Sequence, residues 1–89
     1  MEEQQYLKEL ENATGISFTA CESSNILGYG YDKAKRELWI AFKKGNNVYQ
    51  YFEIPESEFK SLQLAESKGK WVNKHLVQKT RKYQRYVFE

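Results

Sequence analysis

Two alternating apolar runs, ELWIAF (37–42) and NVYQYFEI (47–54), constrain the fold of this chain more than any other feature. Each run has the period of two that is typical of a β-strand. The KKGNN segment between them (43–47) contains Gly and Asn residues that tolerate a positive φ, so it is suited to a tight turn. The pattern therefore predicts an antiparallel hairpin, which ends at Pro55.

The two faces of this hairpin are predicted to differ, because alternate side chains of a strand point to opposite sides. The buried face is predicted to hold Leu38, Ile40, Phe42, Val48, Phe52 and Ile54. The other face is predicted to hold a cross-strand cluster of Trp39, Ala41, Tyr49 and Tyr51. Three alternatives remain for what covers the two tyrosines: the C-terminal helices, a second subunit or a bound ligand.

The remaining patterns predict further strands, with helices toward both ends of the chain. Gly28 and Gly30 lie inside an apolar run, where glycine marks a bulge or a close approach of another backbone. We expect helices at 2–12 and 56–67 and a short helix capped by Ser67. We also expect strands at 16–22 and 26–32, and a tail at 80–89 that is a strand or an extended arm.

These elements predict an α+β fold, a small antiparallel β-meander with an N-terminal helix and one or two C-terminal helices. We interpret residues 1–89 as one domain. Within it, residues 1–15 are a helical extension, and 16–89 are the core domain with a basic C-terminal tail. The helix at 2–12 is too short to be stable alone, so it must pack on the domain or on a neighbouring subunit.

Several functional classes are disfavoured by composition. No apolar run reaches the roughly 18 residues of a membrane span, and we expect a cytoplasmic protein without membrane contact. The chain has one cysteine, Cys21, and one histidine, His75, with no spacing typical of a metal site or a catalytic motif. We therefore expect no metal, no cofactor and no catalytic activity.

Charge is distributed unevenly along the chain. Residues 1–22 contain five Glu and one Lys, whereas residues 60–89 contain eight Lys or Arg and two Glu. This layout suits an anionic ligand at the C-terminal third, or an acidic N-terminal segment that docks on a basic one within or between chains.

The chain is rich in aromatic residues, with seven Tyr, five Phe and two Trp among 89 residues. Aromatic faces stack on nucleotide bases, while Lys, Arg and hydroxyl groups bind phosphates. The ordinary structural alternatives are a plain turn at 23–25 and a solvated helix junction at 67–70. The candidate ligand-binding residues are Ser23, Ser24, Asn25, Tyr31, Trp39, Tyr49, Tyr51, Lys68, Lys70, Trp71, Asn73, Lys74 and Arg81.

One family resembles this order of motifs. The motifs are SSNI, Gly30-Tyr31-Asp32, LWIAF, the Gly45 turn, Tyr49 with Tyr51, Pro55, LAESKGK and Asn73. Together they resemble the KTSC domain over residues 23 to about 84. That domain is named after the C-terminus of some lysyl-tRNA synthetases and also occurs alone in bacterial and phage proteins. The chain departs from the family pattern in its longer ILGYGYD segment and in Trp71-Val72, where the family has an aromatic pair.

The leading hypothesis is a non-catalytic homo-oligomer that sequesters a cyclic di- or oligonucleotide immune signal. It rests on likeness in size and make-up to small phage proteins, which would act in the cytosol of a bacterial host. The family name suggests an alternative, an RNA- or tRNA-binding module, and a protein-binding adaptor is a third. A net charge of only +2 favours a compact ligand over a long polyanion.

Overall fold

The chain folds into one antiparallel sheet with helices on both faces. The computed structural model describes residues 3–45 and 47–87. The elements are α1 (Glu3–Thr14), β1 (Thr19–Ala20), β2 (Ile26–Asp32), β3 (Glu37–Phe42), β4 (Asn47–Tyr51), α2 (Glu56–Leu64), α3 (Lys68–Val72), a π-helical turn (Asn73–Val77) and β5 (Tyr83–Val87). The strands lie side by side in chain order from β1 to β5. This meander with terminal helices confirms the predicted α+β fold class.

α1 packs on one face of the sheet through apolar residues at helical spacing. Tyr6, Leu7 and Leu10 are buried and belong to one core cluster with side chains of β3 and β4. The helix ends at Thr14, and Gly15, which follows it, adopts a φ of +76° and donates its N–H to the Glu11 carbonyl. The short helix α1 therefore packs on the sheet of its own chain, one of the two arrangements expected from the sequence.

Gly28 and Gly30 allow residues 17–19, which lead into β1, to lie directly on β2. A Cβ atom on Gly28 would lie 2.6 Å from the Thr19 carbonyl oxygen, and one on Gly30 would lie 2.7 Å from that of Ser17. The pairing of β2 with β3 also shifts register between Ile26 and Gly28. Both features that the glycines predicted, a bulge and a close backbone approach, are confirmed.

The predicted match between the faces of β3 and β4 is wrong by one residue of register. Side chains alternate within each strand as expected. A shift of one residue in the pairing, however, moves every side chain of one strand to the other face of the sheet. The residues of β3 predicted to be buried therefore pair with the tyrosines of β4. The observed pairs are Leu38 with Tyr51, Ile40 with Tyr49, Trp39 with Gln50 and Ala41 with Val48. The tyrosines therefore share a face with Leu38 and Ile40, and Trp39 lies on the other side of the sheet.

The expected separation of the tyrosines from Ile54 is also wrong, because β4 ends at Tyr51. Glu53 adopts a φ of +58°, which breaks the alternation of a regular strand. As a result Ile54 turns back into the core cluster that contains Tyr51, and both are almost fully buried.

The C-terminal helices cover the face that carries the tyrosines. The predicted cap of the short helix α3 is confirmed, since Ser67 Oγ accepts a hydrogen bond from the Lys70 N–H at 3.2 Å. α3 continues into the π-helical turn, where the Gln78 N–H donates to the Asn73 carbonyl at 2.9 Å. The tail then returns as β5 and pairs antiparallel with β4, which resolves its two predicted forms in favour of a strand.

Candidate functional site

A groove of about 740 Å³ opens between the end of the β3–β4 hairpin, the π-helical turn and β5. We call it the aromatic groove and define it by Phe42, Tyr49, Tyr51, Leu76 and Tyr83. Its polar lining comes from Lys44, Asn47, Thr80 and Arg81. The groove therefore joins residues of the hairpin to residues about 30 positions later in the chain.

Three tyrosines of the aromatic groove stand side by side on two paired strands. Tyr51 pairs directly with Tyr83 in the register of β4 and β5, so Tyr49 is a diagonal neighbour of Tyr83. The rings of Tyr49 and Tyr83 are stacked, with centroids 4.9 Å apart and an interplanar angle of 16°. Phe42 meets Tyr49 edge to face at 5.0 Å. The sheet thus holds a row of rings along the groove floor.

Tyr49 and Tyr51 differ in burial although they share a strand and a face. Tyr51 is only 2% exposed, whereas Tyr49 is half-buried, and Tyr83 is 54% exposed. Burial, with the neighbouring phenols of Tyr49 and Tyr83, raises the pKa of Tyr51 to about 12. Tyr51 is therefore part of the core, while the ring of Tyr83 and part of that of Tyr49 are accessible to a ligand.

A second groove of about 620 Å³ lies next to the first. We call it the polar groove and define it by Ser23, Asn25, Ser67, Lys70 and Asn73. It unites two segments that the sequence had singled out separately, the turn before β2 and the start of α3. The two grooves share Phe42 and Val77 as lining residues, so they form adjoining parts of one surface.

Several donors and acceptors of the polar groove already have partners within the chain. Ser23 Oγ accepts hydrogen bonds from the N–H groups of Asn25 and Ile26, at 3.2 and 3.3 Å. Glu22 and Glu66 also line the groove, beside Lys70. The carboxylates oppose a phosphate here, so this groove is better suited to hydroxyl or amine groups of a ligand.

The aromatic and polar grooves together bring eight of the sequence-predicted site residues to one surface. The eight are Ser23, Ser24, Asn25, Tyr49, Tyr51, Lys70, Asn73 and Arg81. This convergence results from the pairing of β4 with β5 and from the position of α3 over the sheet.

Three predicted aromatic residues lie elsewhere. Trp39 is on the α1 face, where its ring stacks on Tyr86 at 5.7 Å. Tyr31 stacks on Phe59 at 4.5 Å and donates its hydroxyl to the Ile54 carbonyl. Trp71 lies in the core, where it is 6% exposed. The expected cluster of Trp39 with Tyr49 and Tyr51 is therefore wrong, because the hairpin register separates them.

Two predicted cations are engaged in contacts within the fold, and a third lies outside both grooves. Lys68 Nζ donates to the carbonyls that end α2, at 2.9 and 2.7 Å. Arg81 donates to Glu58 Oε2 at 2.9 Å and to the Glu53 carbonyl at 3.2 Å. Lys74 is exposed and lines neither groove.

Sequence reasoning missed several lining residues of the aromatic groove, among them Phe42, Lys44, Val77 and Tyr83. Phe42 had been assigned to the core, and Lys44 to the turn. Tyr83 and Tyr86 were visible as an alternating YQRY pattern, but nothing in the pattern indicated which strand the tail would join. A π-helical turn has no clear sequence signal, although such turns are frequent at functional sites.

Two further observations concern the residues that the structure describes, 3–45 and 47–87. They contain no group of three or more His, Cys, Asp or Glu side chains that could hold a metal ion. They also contain no helix that is long and apolar enough to span a membrane.

Comparison with known families identifies the matched part of the chain. The model of the KTSC domain matches residues 22–79. The chain belongs to the KTSC domain family. The match leaves α1, β1 and β5 outside its limits. All residues that line the polar groove lie within it, whereas the aromatic groove takes Thr80, Arg81 and Tyr83 from outside it.

A solved structure and a relative support this assignment. The crystal structure of the KTSC domain protein YPO2434 from Yersinia pestis is similar, with a TM-score of 0.69, 28% identity and coverage of 83% of this chain and 99% of that one. A protein of Tsukamurella paurometabola is 44% identical over 52 residues, which are 58% of this chain and 76% of that protein. The KTSC fold is thus shared with bacterial proteins.

Proposed function

We propose that this protein binds a short nucleotide in the aromatic groove and holds it without chemical turnover. The observation that carries the proposal is the stacked pair of Tyr49 and Tyr83 beside an open groove of about 740 Å³. Stacking of a base on an aromatic ring contributes roughly 1 to 3 kcal/mol. The volume also lies within the roughly 300 to 1,000 Å³ of small-ligand sites.

Charge divides the two grooves into complementary parts. Lys44 lines the aromatic groove and forms no ion pair with another described residue, so it is available to a phosphate. In the polar groove Glu22 and Glu66 disfavour a phosphate and favour ribose hydroxyls or base amines. A ligand with two nucleoside units could therefore use both grooves, with its phosphates toward Lys44.

These features fit a protein that sequesters a cyclic di- or oligonucleotide signal. Such a protein needs stacking surfaces and a local cation, and it needs no catalytic group. In this proposal it is a homo-oligomer that acts in the cytosol of a bacterial host, where it lowers the concentration of an immune signal during phage infection.

Calorimetry against a panel of cyclic dinucleotides tests the proposal. We expect submicromolar binding of at least one compound, and a loss of at least about tenfold in Tyr83→Ala, which removes the exposed ring. Tyr86→Ala is the matched control, because Tyr86 is on the same strand but its ring stacks on Trp39 on the opposite face. Absence of heat with every compound, or equal losses in both variants, would contradict nucleotide binding in the aromatic groove.

Native mass spectrometry of the purified protein tests the oligomeric part separately. A multiple of the 10.6 kDa chain mass is expected. Absorbance at 260 nm above that of the aromatic residues would reveal a ligand that co-purifies. A monomer that still binds a cyclic dinucleotide would contradict the proposed oligomer but not the proposed binding in the aromatic groove.

A second candidate function, RNA binding, is favoured by one observation. Residues 67–87 contain seven Lys or Arg and neither Asp nor Glu. If RNA is the partner, gel-shift affinity should fall steeply between low and moderate salt, because each phosphate contact releases counterions. No shift with tRNA or single-stranded RNA would exclude this function.

A further inference from the structure

The two edges of the sheet are unequal. β1 forms one edge with only two residues, and short edge strands offer little backbone to a partner. β5 forms the other edge with five exposed residues, and no described strand lies beyond it. It contains neither Pro nor Gly, and Tyr83, Tyr86 and Val87 are 54%, 37% and 53% exposed. β5 is therefore a regular strand with one unpaired side.

The hydrogen-bonding direction of each β5 residue follows from its pairing with β4. The Phe52 N–H donates to the Lys82 carbonyl at 3.1 Å, and the strands are antiparallel. Since successive residues of such a strand direct their N–H and C=O groups to alternate sides, those of Tyr83, Arg85 and Val87 point away from the sheet. Three residues at alternate positions thus offer donors and acceptors to an additional strand.

Charge indicates what kind of strand can pair there. Arg85 is exposed at the middle of β5 and forms no ion pair with any described residue. A second copy of this chain that paired along the whole of β5 would place two Arg85 side chains directly opposite each other, and directly opposed like charges are destabilising. The same position attracts a strand that carries a carboxylate.

We propose that β5 binds an extended acidic peptide of a partner protein, which adds to the sheet as a sixth strand. In this arrangement an Asp or Glu of the peptide lies opposite Arg85. Apolar residues two positions before and after it lie against Tyr83 and Val87. The backbone hydrogen bonds supply affinity, and the central carboxylate supplies selectivity. This function does not depend on nucleotide binding, although the added strand and the aromatic groove both use Tyr83.

The test uses two labelled heptapeptides, TVTETVT and its charge-reversed form TVTKTVT, in fluorescence anisotropy with the full chain. We expect TVTETVT to bind wild type more tightly than TVTKTVT does. Arg85→Glu should weaken TVTETVT about tenfold and strengthen TVTKTVT, because attraction becomes repulsion. Lys74→Glu is the matched control, with the same charge change in the same basic segment but outside β5, and it should alter affinity less than about twofold.

Amide exchange followed by NMR distinguishes strand addition from simple charge attraction. With TVTETVT bound, the amides of Tyr83, Arg85 and Val87 should gain protection, whereas those of Gln84 and Tyr86 already face β4. Equal effects of Arg85→Glu and Lys74→Glu, or binding without the alternating protection, would overturn the proposal. Protection that grows with protein concentration in the absence of peptide would also overturn it, in favour of a second copy as the occupant.

Discussion

The two faces of the sheet are both covered by helices, yet the aromatic and polar grooves open on the same face. On one face, α1 closes over Trp39, Ala41 and Val48, which are all buried. On the other face, α2 contributes Phe59, which packs on Tyr29 and Tyr31 at the far end of the hairpin. Toward the β3–β4 turn, Phe42 and Tyr49 are only half-buried.

The difference shows that cover, and not residue type, decides whether an aromatic side chain belongs to the core or to a binding surface. Tyr49 and Tyr51 have the same chemistry, strand and face. Tyr51 lies in a core cluster with Leu62 and Leu76, while Tyr49 lies further toward the open end. Substitutions on each face, and at each of these two tyrosines, can test this difference in packing.

The largest expected effect is on the free energy of unfolding in Tyr51→Ala. Tyr51 is 2% exposed, so truncation leaves a cavity and should cost about 4 kcal/mol. Tyr49→Ala removes a half-buried ring and should cost about 1 to 2 kcal/mol. Urea unfolding followed by circular dichroism measures both. Equal losses of unfolding free energy would mean that Tyr49 is as fully packed as Tyr51.

The next largest effect is a pH dependence that belongs to Tyr51. Its pKa is about 12 in the folded protein, against 10.0 for an unperturbed tyrosine. Below pH 10 the phenol is neutral in both states, and stability is fully present. Between pH 10 and 12 the unfolded chain loses the proton first, so stability should fall, by about 3 kcal/mol in total.

Tyr51→Phe isolates this effect from that of the other tyrosines. Burial also raises the pKa of Tyr6, Tyr29 and Tyr31, and all three contribute alike in wild type and variant. Wild type should therefore lose more stability than Tyr51→Phe between pH 10 and 12, as measured by chemical unfolding at each pH. Parallel curves would mean that the phenol of Tyr51 is hydrated in the folded state.

The smallest effect compares the two tryptophans, one on each face. Trp71 Nε1 donates to Ser61 Oγ at 3.0 Å, whereas Trp39 Nε1 is buried and has no acceptor among the described residues. Trp71→Phe should therefore cost about 1 kcal/mol more than Trp39→Phe, since only the first removes a satisfied donor. Thermal unfolding of the pair measures the difference. Equal losses would indicate that the N–H of Trp39 is satisfied as well.

Much of the fold follows from local patterns in the sequence. The alternation in 37–42, the apolar spacing of α1, the glycines of β2 and the cap at Ser67 each predicted the element that is observed. These signals concern neighbouring residues, whose conformations are limited by their own side chains. The KTSC resemblance followed from the same motifs and is confirmed.

The groove could not be predicted in the same way, because it depends on contacts between distant segments. Alternation fixed which residues of β3 share a face, but the register across the turn decided which residues of β4 joined them. The reversal of Ile54 required the positive φ of Glu53, a residue with no preference for it. Tyr83 entered the groove only because the tail pairs with β4.

The close approach over Gly28 and Gly30 has a consequence for how this protein varies among relatives. The crossing segment meets these glycines through the carbonyls of Ser17 and Thr19, and carbonyls are common to every amino acid. Ile16 Cγ2 would also lie 2.7 Å from a Cβ atom on Gly30, so neither glycine can gain a side chain unless the crossing segment moves. In relatives that lack this segment, we expect the two glycine positions to accept other residues.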